Sequence, residues 1–408
     1  MRNARPYGGR FAFIVSHSVL PTTIHSMNSP LAILFLTVLL DLIGFGIILP
    51  VLPLYARDLG ASQLEIGLIA ASFSVMTLLW SPILGRWSDR LGRRPILLTC
   101  IVINAAGYAL FANARTLAIL IASRMLNGIG ASNISVAQAY IADTTSGADR
   151  ARSLGLIGAA FGLGFIIGPA LGGFLKAQFG IAAVGYVPCM LSLLNALLAW
   201  IRLPEPQRHA LAQRPSFGTT VRAALTHPQQ SRLVLLSFAY WFAFVMMQIT
   251  FALFANERFG WHEDAIGGVF ALTGLIGSAI QGGAIGKLVK TFGEKKLLSA
   301  GLGLFAVGML ALPWMPSSAL VVVTLGEIAV GSALVTPTLN ALISLSADGS
   351  SQGAILGLSQ SAASLARIVG PIVGMGLYGV RHEVPYVAAG LIGFACLFVL
   401  AQPLHGME

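Results

Sequence analysis

The chain has 408 residues, of which 56% are hydrophobic and only 10% charged, where a soluble domain carries roughly a quarter charged residues. So little charge cannot clothe a water-soluble protein of this length, so lipid must be the solvent for most of the surface. The net charge of +10 does not point to nucleic acid, because the basic residues form no stripe and sit in short turns between apolar runs.

In chain order, the first 26 residues differ from the rest. Arg2, Arg5 and Arg10 precede a broken apolar stretch, Phe11 to Leu20, too short to cross a bilayer and followed by no small-residue cleavage signal. Met27 opens Met-Asn-Ser-Pro-Leu, a natural start for a spanning helix, so residues 1–26 read as an upstream extension, disordered and cytoplasmic. Twelve apolar segments follow, near 31–55, 64–86, 95–113, 117–141, 153–175, 183–202, 232–255, 265–288, 296–315, 319–343, 354–378 and 384–402. Their length suits spanning helices of about 20 residues. Their unbroken apolar character, without strand-like alternation, favours helices over a closed barrel.

The turns orient these segments. Arg86 to Arg94, Arg150 and Arg152, the run of arginines from Arg202 to Arg232, and Lys287 to Lys296 all follow even-numbered spans. The opposite connections hold mainly Arg57, Arg115, Lys176, Arg258 and Arg381, several beside acids. Basic turns stay on the cytoplasmic side, so both chain ends are expected in the cytoplasm. The one long connector, 204–230, divides a six-helix half at 27–203 from another at 231–408. A repeat supports that division. Gly85 and Gly92 match Gly286 and Gly293 at a shift of 201, and Gly155, Gly168, Pro169 and Gly172 match Gly357, Gly370, Pro371 and Gly374 at 202. Duplication explains a nearly constant shift across several spans. The expectation is an all-α integral membrane protein with twelve transmembrane helices in two pseudo-symmetric six-helix halves.

Several residues could carry chemistry. In the turn Gly85-Arg-Trp-Ser-Asp-Arg-Leu-Gly-Arg-Arg-Pro95, Gly85 and Gly92 permit a tight turn and close approach, and Asp89 can cap a neighbouring helix. Arg90, Arg93 and Arg94 anchor the turn at the membrane surface. Asp41 lies about 15 Å into its span at the helical rise. Such embedded acids face a wet cavity or a partner, and Asp41 is a candidate for loading and releasing a proton. Arg124 and Glu327 each precede a glycine by four residues in matching spans, which puts them at comparable depth across a central cavity. Glu327 is either a second titrating acid or a partner of Arg367 in span eleven. Tyr240, Phe244, Gln248 and Phe251 fall at helical spacing on span seven. They suit either an apolar substrate wall or a plain helix contact, Asn104 and Tyr108 in span three read the same way, and Arg367 is expected with them at the substrate cavity.

The chain resembles the major facilitator superfamily from Met27 onward. The Gly85–Pro95 frame is similar to its cytoplasmic signature, Arg124-Met-Leu-Asn-Gly128 to its span-four motif, and Gly164-Phe-Ile-Ile-Gly168-Pro169-Ala-Leu-Gly172-Gly173 to its span-five antiporter motif. Asp41-Leu-Ile-Gly-Phe-Gly, Pro50-Val-Leu-Pro53 and Ile141-Ala-Asp-Thr-Thr-Ser146 resemble the tetracycline/proton antiporters of the twelve-span drug-exporter group. The resemblance implies that Gly85–Arg94 latches the halves, that Arg124 takes part in proton coupling, and that the span-five glycines mark an antiporter. Ordinary small-residue packing is the other reading of those glycines. One departure is Gly107, which stands where the tetracycline antiporters carry an acid, so their proton and cation chemistry does not transfer whole.

The isolated Cys100, Cys189 and Cys396 suit neither a disulfide framework nor a metal site, and no catalytic constellation or phosphate-binding loop appears. The expected protein is therefore not an enzyme and uses no cofactor. It is expected to be a monomeric exporter of small amphipathic drug-like compounds, driven by protons, in a bacterial-type inner (plasma) membrane. Two further readings stay open: an exporter of an endogenous solute such as a sugar or siderophore, and a non-transporting receptor of the same fold.

Overall fold

The computed structural model describes residues 30–145, 147–206, 227–347 and 352–402. The N-terminal extension and most of the connector lie outside the described residues. Among the described residues there is no strand, and twelve helices are long and apolar enough to cross a membrane. Spans one to six are Pro30–Ile48, Gln63–Leu91, Arg93–Ala112, Leu117–Thr144, Ser153–Phe179 and Ile181–Arg202. Spans seven to twelve are Pro228–Phe259, Glu263–Phe292, Glu294–Trp314, Ser318–Leu345, Gln352–Val380 and Val384–Ala401.

Local sequence sets the ends of these helices. Ser62 accepts from the Glu65 backbone N–H while the Glu65 carboxylate accepts from the Ser62 N–H at 2.8 Å, a reciprocal cap at the start of span two. Thr116 and Ser317 cap spans four and ten alike, one more trace of duplication. The tight basic turns need glycine: Gly92 and Gly293 have φ of 115° and 78°, a region side chains rarely adopt.

Two spans are less regular than the apolar runs suggested. The first helix stops at Ile48, and a short helix, Leu52–Asp58, follows a turn bounded by Pro50 and Pro53. Each proline removes a backbone donor, and its ring crowds the preceding turn. Span four breaks at Ala131 and Ser132 between Leu117–Gly130 and Asn133–Thr144, where Gly128, Gly130, Ser132 and Asn133 are weak helix formers. Its glycines let span three press close: a Cβ on Gly130 would stand 2.6–2.9 Å from Asn104.

The two halves repeat one packing scheme. Span one packs on five and six, three on four and six, and two on four; seven packs on eleven and twelve, nine on ten and twelve, and eight on ten. The halves meet through the symmetry-related pairs five with eight and two with eleven.

Those pairs are closest at one end, although spans five and eight stay in contact as far as Gly162, where a Cβ would stand 2.8 Å from Ser278 Oγ. Away from the basic turns, a Cβ on Gly67 would stand 2.6 Å from the Pro371 carbonyl oxygen, and one on Gly173 would strike the Glu263 backbone. Toward the basic turns, Gly85, Gly155, Gly158, Gly282, Gly283, Gly286, Gly353 and Gly357 have nothing within 4 Å of a Cβ position. The molecule is therefore closed at the far end and splayed at the basic end. This also corrects the expectation for Gly85: it makes no close helix approach here, and only Gly92 serves the turn.

Candidate functional site

The most elaborate polar cluster lies inside the first half. Asp41, 4% exposed, accepts from the Nδ2 of Asn104 at 2.9 Å and from the Nδ2 of Asn133. Asn104 in turn accepts from Asn127 Nδ2, at 2.8 Å on its side chain and 3.0 Å on its backbone. Asn127 then accepts from Arg124 Nη1 at 3.4 Å. An amide chain thus joins the acid of span one to the cation of span four through span three. The break in span four contributes by presenting Asn127 and Asn133 on either side of it. Thr37 of span one extends the cluster to Asn195 of span six at 3.1 Å.

Gly107 explains how this chain dispenses with an acid in span three. A Cβ there would stand 2.5 Å from Asn127 Nδ2 and 2.9 Å from its backbone nitrogen. Asn127 fills the space that a side chain at position 107 would need. Gly107 and Asn127 are therefore one packing solution.

Arg124 is 3% exposed and has no carboxylate within 4.0 Å among the described residues. Its guanidinium lies 4.7 Å from the Phe73 ring centroid, a cation–π contact, and its Nε is buried without a partner. Phe73 is 5.0 Å from Phe45, which lies 6.1 Å from Phe165. These three partly exposed phenylalanines from spans one, two and five were not singled out from the sequence, since isolated aromatics in apolar runs carry no spacing signal.

In the second half, Glu327 is partly exposed and forms no ion pair with Arg367. Arg367 instead donates to Ser364 Oγ at 3.2 Å and lies 5.5 Å from the Trp241 ring centroid. The span-seven stripe divides. Phe244 and Gln248 keep some exposure, whereas Tyr240 is 2% exposed against Phe305, and Phe251 is fully enclosed by Trp261 and Phe270. Asn104 and Tyr108 are likewise enclosed, Asn104 in the amide chain and Tyr108 against Gly44. Side chains packed on every side cannot wall an opening, so these four are corrected to interior positions.

The span-five glycines have two faces. Cβ atoms on Gly164, Gly168 and Gly172 would collide with Leu42, Gly46 and Ile47 of span one. Gly173 faces the Glu263 and Asp264 backbone of span eight, and the Pro169 carbonyl lies against Gly267 there. The motif lets span five wedge between its own half and the other.

At the basic turn, Asp89 does not cap a neighbouring helix as expected. It pairs with Arg93 at 2.5 Å, and Arg93 reaches Asp143 at 2.8 Å and Ser88 Oγ at 2.6 Å. The cap is Glu205, from the stretch assigned to the connector. Its carboxylate accepts the backbone N–H of Arg93 at 2.6 Å and of Arg94 at 3.0 Å, where the helix dipole favours a negative charge. Arg94 holds the Trp200 carbonyl at 2.5 Å, while Arg90 is exposed. At the far end, Arg57 of the first half donates to Asn256 at 2.8 Å and pairs with Glu257 at 3.4 Å in the second. Tyr378 donates to Glu257 at 2.6 Å, and His382 lies 3.4 Å from it. Lone charges in loops gave no sign of this bridge in the sequence.

Known proteins share this architecture. A family model described as Major Facilitator Superfamily matches residues 34–371 and 276–405. The class C tetracycline resistance protein of Escherichia coli is 32% identical over 391 residues, covering 92% of this chain and 96% of that protein. Multidrug resistance protein 2 of Bacillus subtilis is 28% identical over 377 residues, covering 91% and 94% respectively. The crystal structure of a human organic anion transporter (TETRAN) matches with a TM-score of 0.67 and 26% identity, covering 91% of this chain and 98% of that one.

Proposed function

The chain belongs to the major facilitator superfamily, and on that premise we propose that it exports small amphipathic drug-like compounds in exchange for protons. That it is a membrane transporter follows from the family. The export reading draws on relatives named for tetracycline and multidrug resistance. The single observation that carries the coupling is the buried chain Asp41–Asn104–Asn127–Arg124.

The coupling works through hydrogen-bond capacity. An ionised Asp41 is acceptor-only and holds one amide donor on each oxygen; protonation gives one of those oxygens a donor of its own and makes it a poorer acceptor, which weakens its hold on the amide and favours a turn. Asn104 is locked to Asn127, and Asn127 to Arg124, so a turn at Asn104 passes to the span-four cation beside Phe73. The basic turns favour a cytoplasmic basic end, which makes the splayed conformation inward-open. In the proposed cycle substrate enters from the cytoplasm as Asp41 loses its proton inward. The halves then rock, parting Arg57 from Glu257 and the span-five glycines from span eight, and external protons release the substrate. The Gly85–Arg94 turn is the proposed latch for the other state, with no cofactor beyond the proton gradient. The acting unit is a monomer in a bacterial-type inner membrane, with both chain ends in the cytoplasm.

The test is Asp41→Asn in proteoliposomes loaded with tetracycline or ethidium under an imposed pH gradient. Gradient-driven movement should disappear while gradient-free substrate exchange persists. Undiminished driven export would remove Asp41 from the mechanism. Wild-type protein that moves neither compound but moves a sugar or siderophore would replace the drug reading.

A further inference from the structure

Resting on the export reading, we propose that Arg367 and Trp241 form a subsite for the negative charge of an aromatic carboxylate substrate. Arg367 lies 15 residues from the start of span eleven and 13 from its end, so about 20 Å of helix separates it from either end. A side chain cannot snorkel that far to lipid headgroups. A cation held at such depth is costly unless it is paired or faces water. Among the described residues no carboxylate lies within 4.0 Å of it. Glu327, its natural partner by depth, does not reach it. Among the described residues it donates to Ser364 on its own helix, at 3.2 Å.

Its direction follows from its neighbours on span eleven. Arg367 precedes Gly370 and Pro371 by three and four residues, so it shares their face. Gly370 lies against Val245 of span seven, and Pro371 against Gly67 of span two. That face points into the molecule, opposite the lipid-exposed Leu365. The contact of Pro371 with Gly67 is where the halves close. Arg367 stands one turn from it on the basic side, where they part. The guanidinium is therefore at the closed end of the opening between the halves.

The shelf around it is aromatic. Arg367 lies 5.5 Å from the Trp241 ring centroid, and Trp241 meets Phe244 edge-on at 5.8 Å. A planar guanidinium binds a carboxylate with two parallel hydrogen bonds, and an adjoining aromatic shelf receives the ring of the same molecule. The combination recognises a flat apolar anion.

The experiment is equilibrium binding to the purified full chain, without a gradient, so its outcome does not depend on proton-driven export. The probes are 1-naphthoate, 1-naphthamide and 1-naphthylmethylamine, which share a ring and differ in charge. Wild-type protein should bind naphthoate about tenfold to a hundredfold tighter than naphthamide, the range for hydrogen bonds to a charged partner. Arg367→Gln should erase that preference, Arg367→Lys should keep part of it, and Arg124→Gln should leave it intact. The idea is overturned if the wild type shows no preference for the anion, if the preference survives Arg367→Gln, or if it is lost in Arg124→Gln alone. Arg367→Gln forfeits the Ser364 bond and the cation–π contact with Trp241 and relieves the cost of a buried charge, so the variant should fold, and Arg367→Lys provides a second reading with the charge retained.

Discussion

A single methyl group at position 67 should shift this protein between conformations. In Gly67→Ala the new Cβ would stand 2.6 Å from the Pro371 carbonyl oxygen and 3.0 Å from Ile372 Cα. Both opposing atoms are backbone, so relief requires moving span two away from span eleven. Overpacking of this kind costs about 1–3 kcal/mol. The contact lies between the halves, so only the conformer closed at the far end bears the cost. Its population relative to the conformer open there should fall by roughly 5- to 150-fold. Cysteine labelling with a membrane-impermeant maleimide reads this, and the native Cys100, Cys189 and Cys396 are buried, which keeps background low. Labelling at Gln63→Cys should rise, and labelling at Gly85→Cys should fall. Gly301→Ala is the control, because its Cβ would meet the Gly331 carbonyl at 2.8 Å inside the second half. It should lower stability without changing the labelling ratio. A folded Gly67→Ala protein with an unchanged ratio would refute the assignment of that contact as the closing point.

Weaker perturbations should give graded effects. Glu257→Gln keeps an acceptor for Tyr378 but loses the charge facing Arg57, a partly exposed pair at 3.4 Å worth about 0.2–1 kcal/mol. The same labelling ratio should move in the same direction as Gly67→Ala by less than about fivefold, and added salt should shrink the effect. Glu205→Ala leaves the Arg93 and Arg94 N–H groups at the start of span three uncapped, a loss of about 0.5–2 kcal/mol. Thermal unfolding should shift down by about 1–2 °C while substrate binding in the second half is unchanged; an unaltered melting curve would show that water serves the two donors equally well.

The site was legible in parts. Asp41 and Arg124 stood out because charge is rare in apolar spans, and both are buried in the amide chain. The asparagines that join them did not, since an amide in a membrane helix gives no spacing signal until its neighbours in other spans are known. Asp89 was expected to cap a helix because it lies beside one in sequence. Glu205 does so instead, since chain reversal after span six brings it over the Arg93 and Arg94 N–H groups. On span seven, residues 240, 244, 248 and 251 share a helical stripe. The stripe is wide enough that Tyr240 and Phe251 turn into packing while Phe244 and Gln248 do not.

Sequence alone determined the solvent, the number of spans, the duplication and the tight glycine turns. Each of these depends on composition or on residues near one another in the chain: apolar length must match bilayer thickness, and a positive φ demands glycine. Tertiary structure alone decided which end is closed, that Gly67 and Gly173 rather than Gly85 make the close approaches between halves, and that Arg367 stands without a carboxylate. Those depend on the distance between residues far apart in sequence. An apolar helix has a similar pattern whether a given face meets lipid, another helix or open space, so only packing distinguishes them.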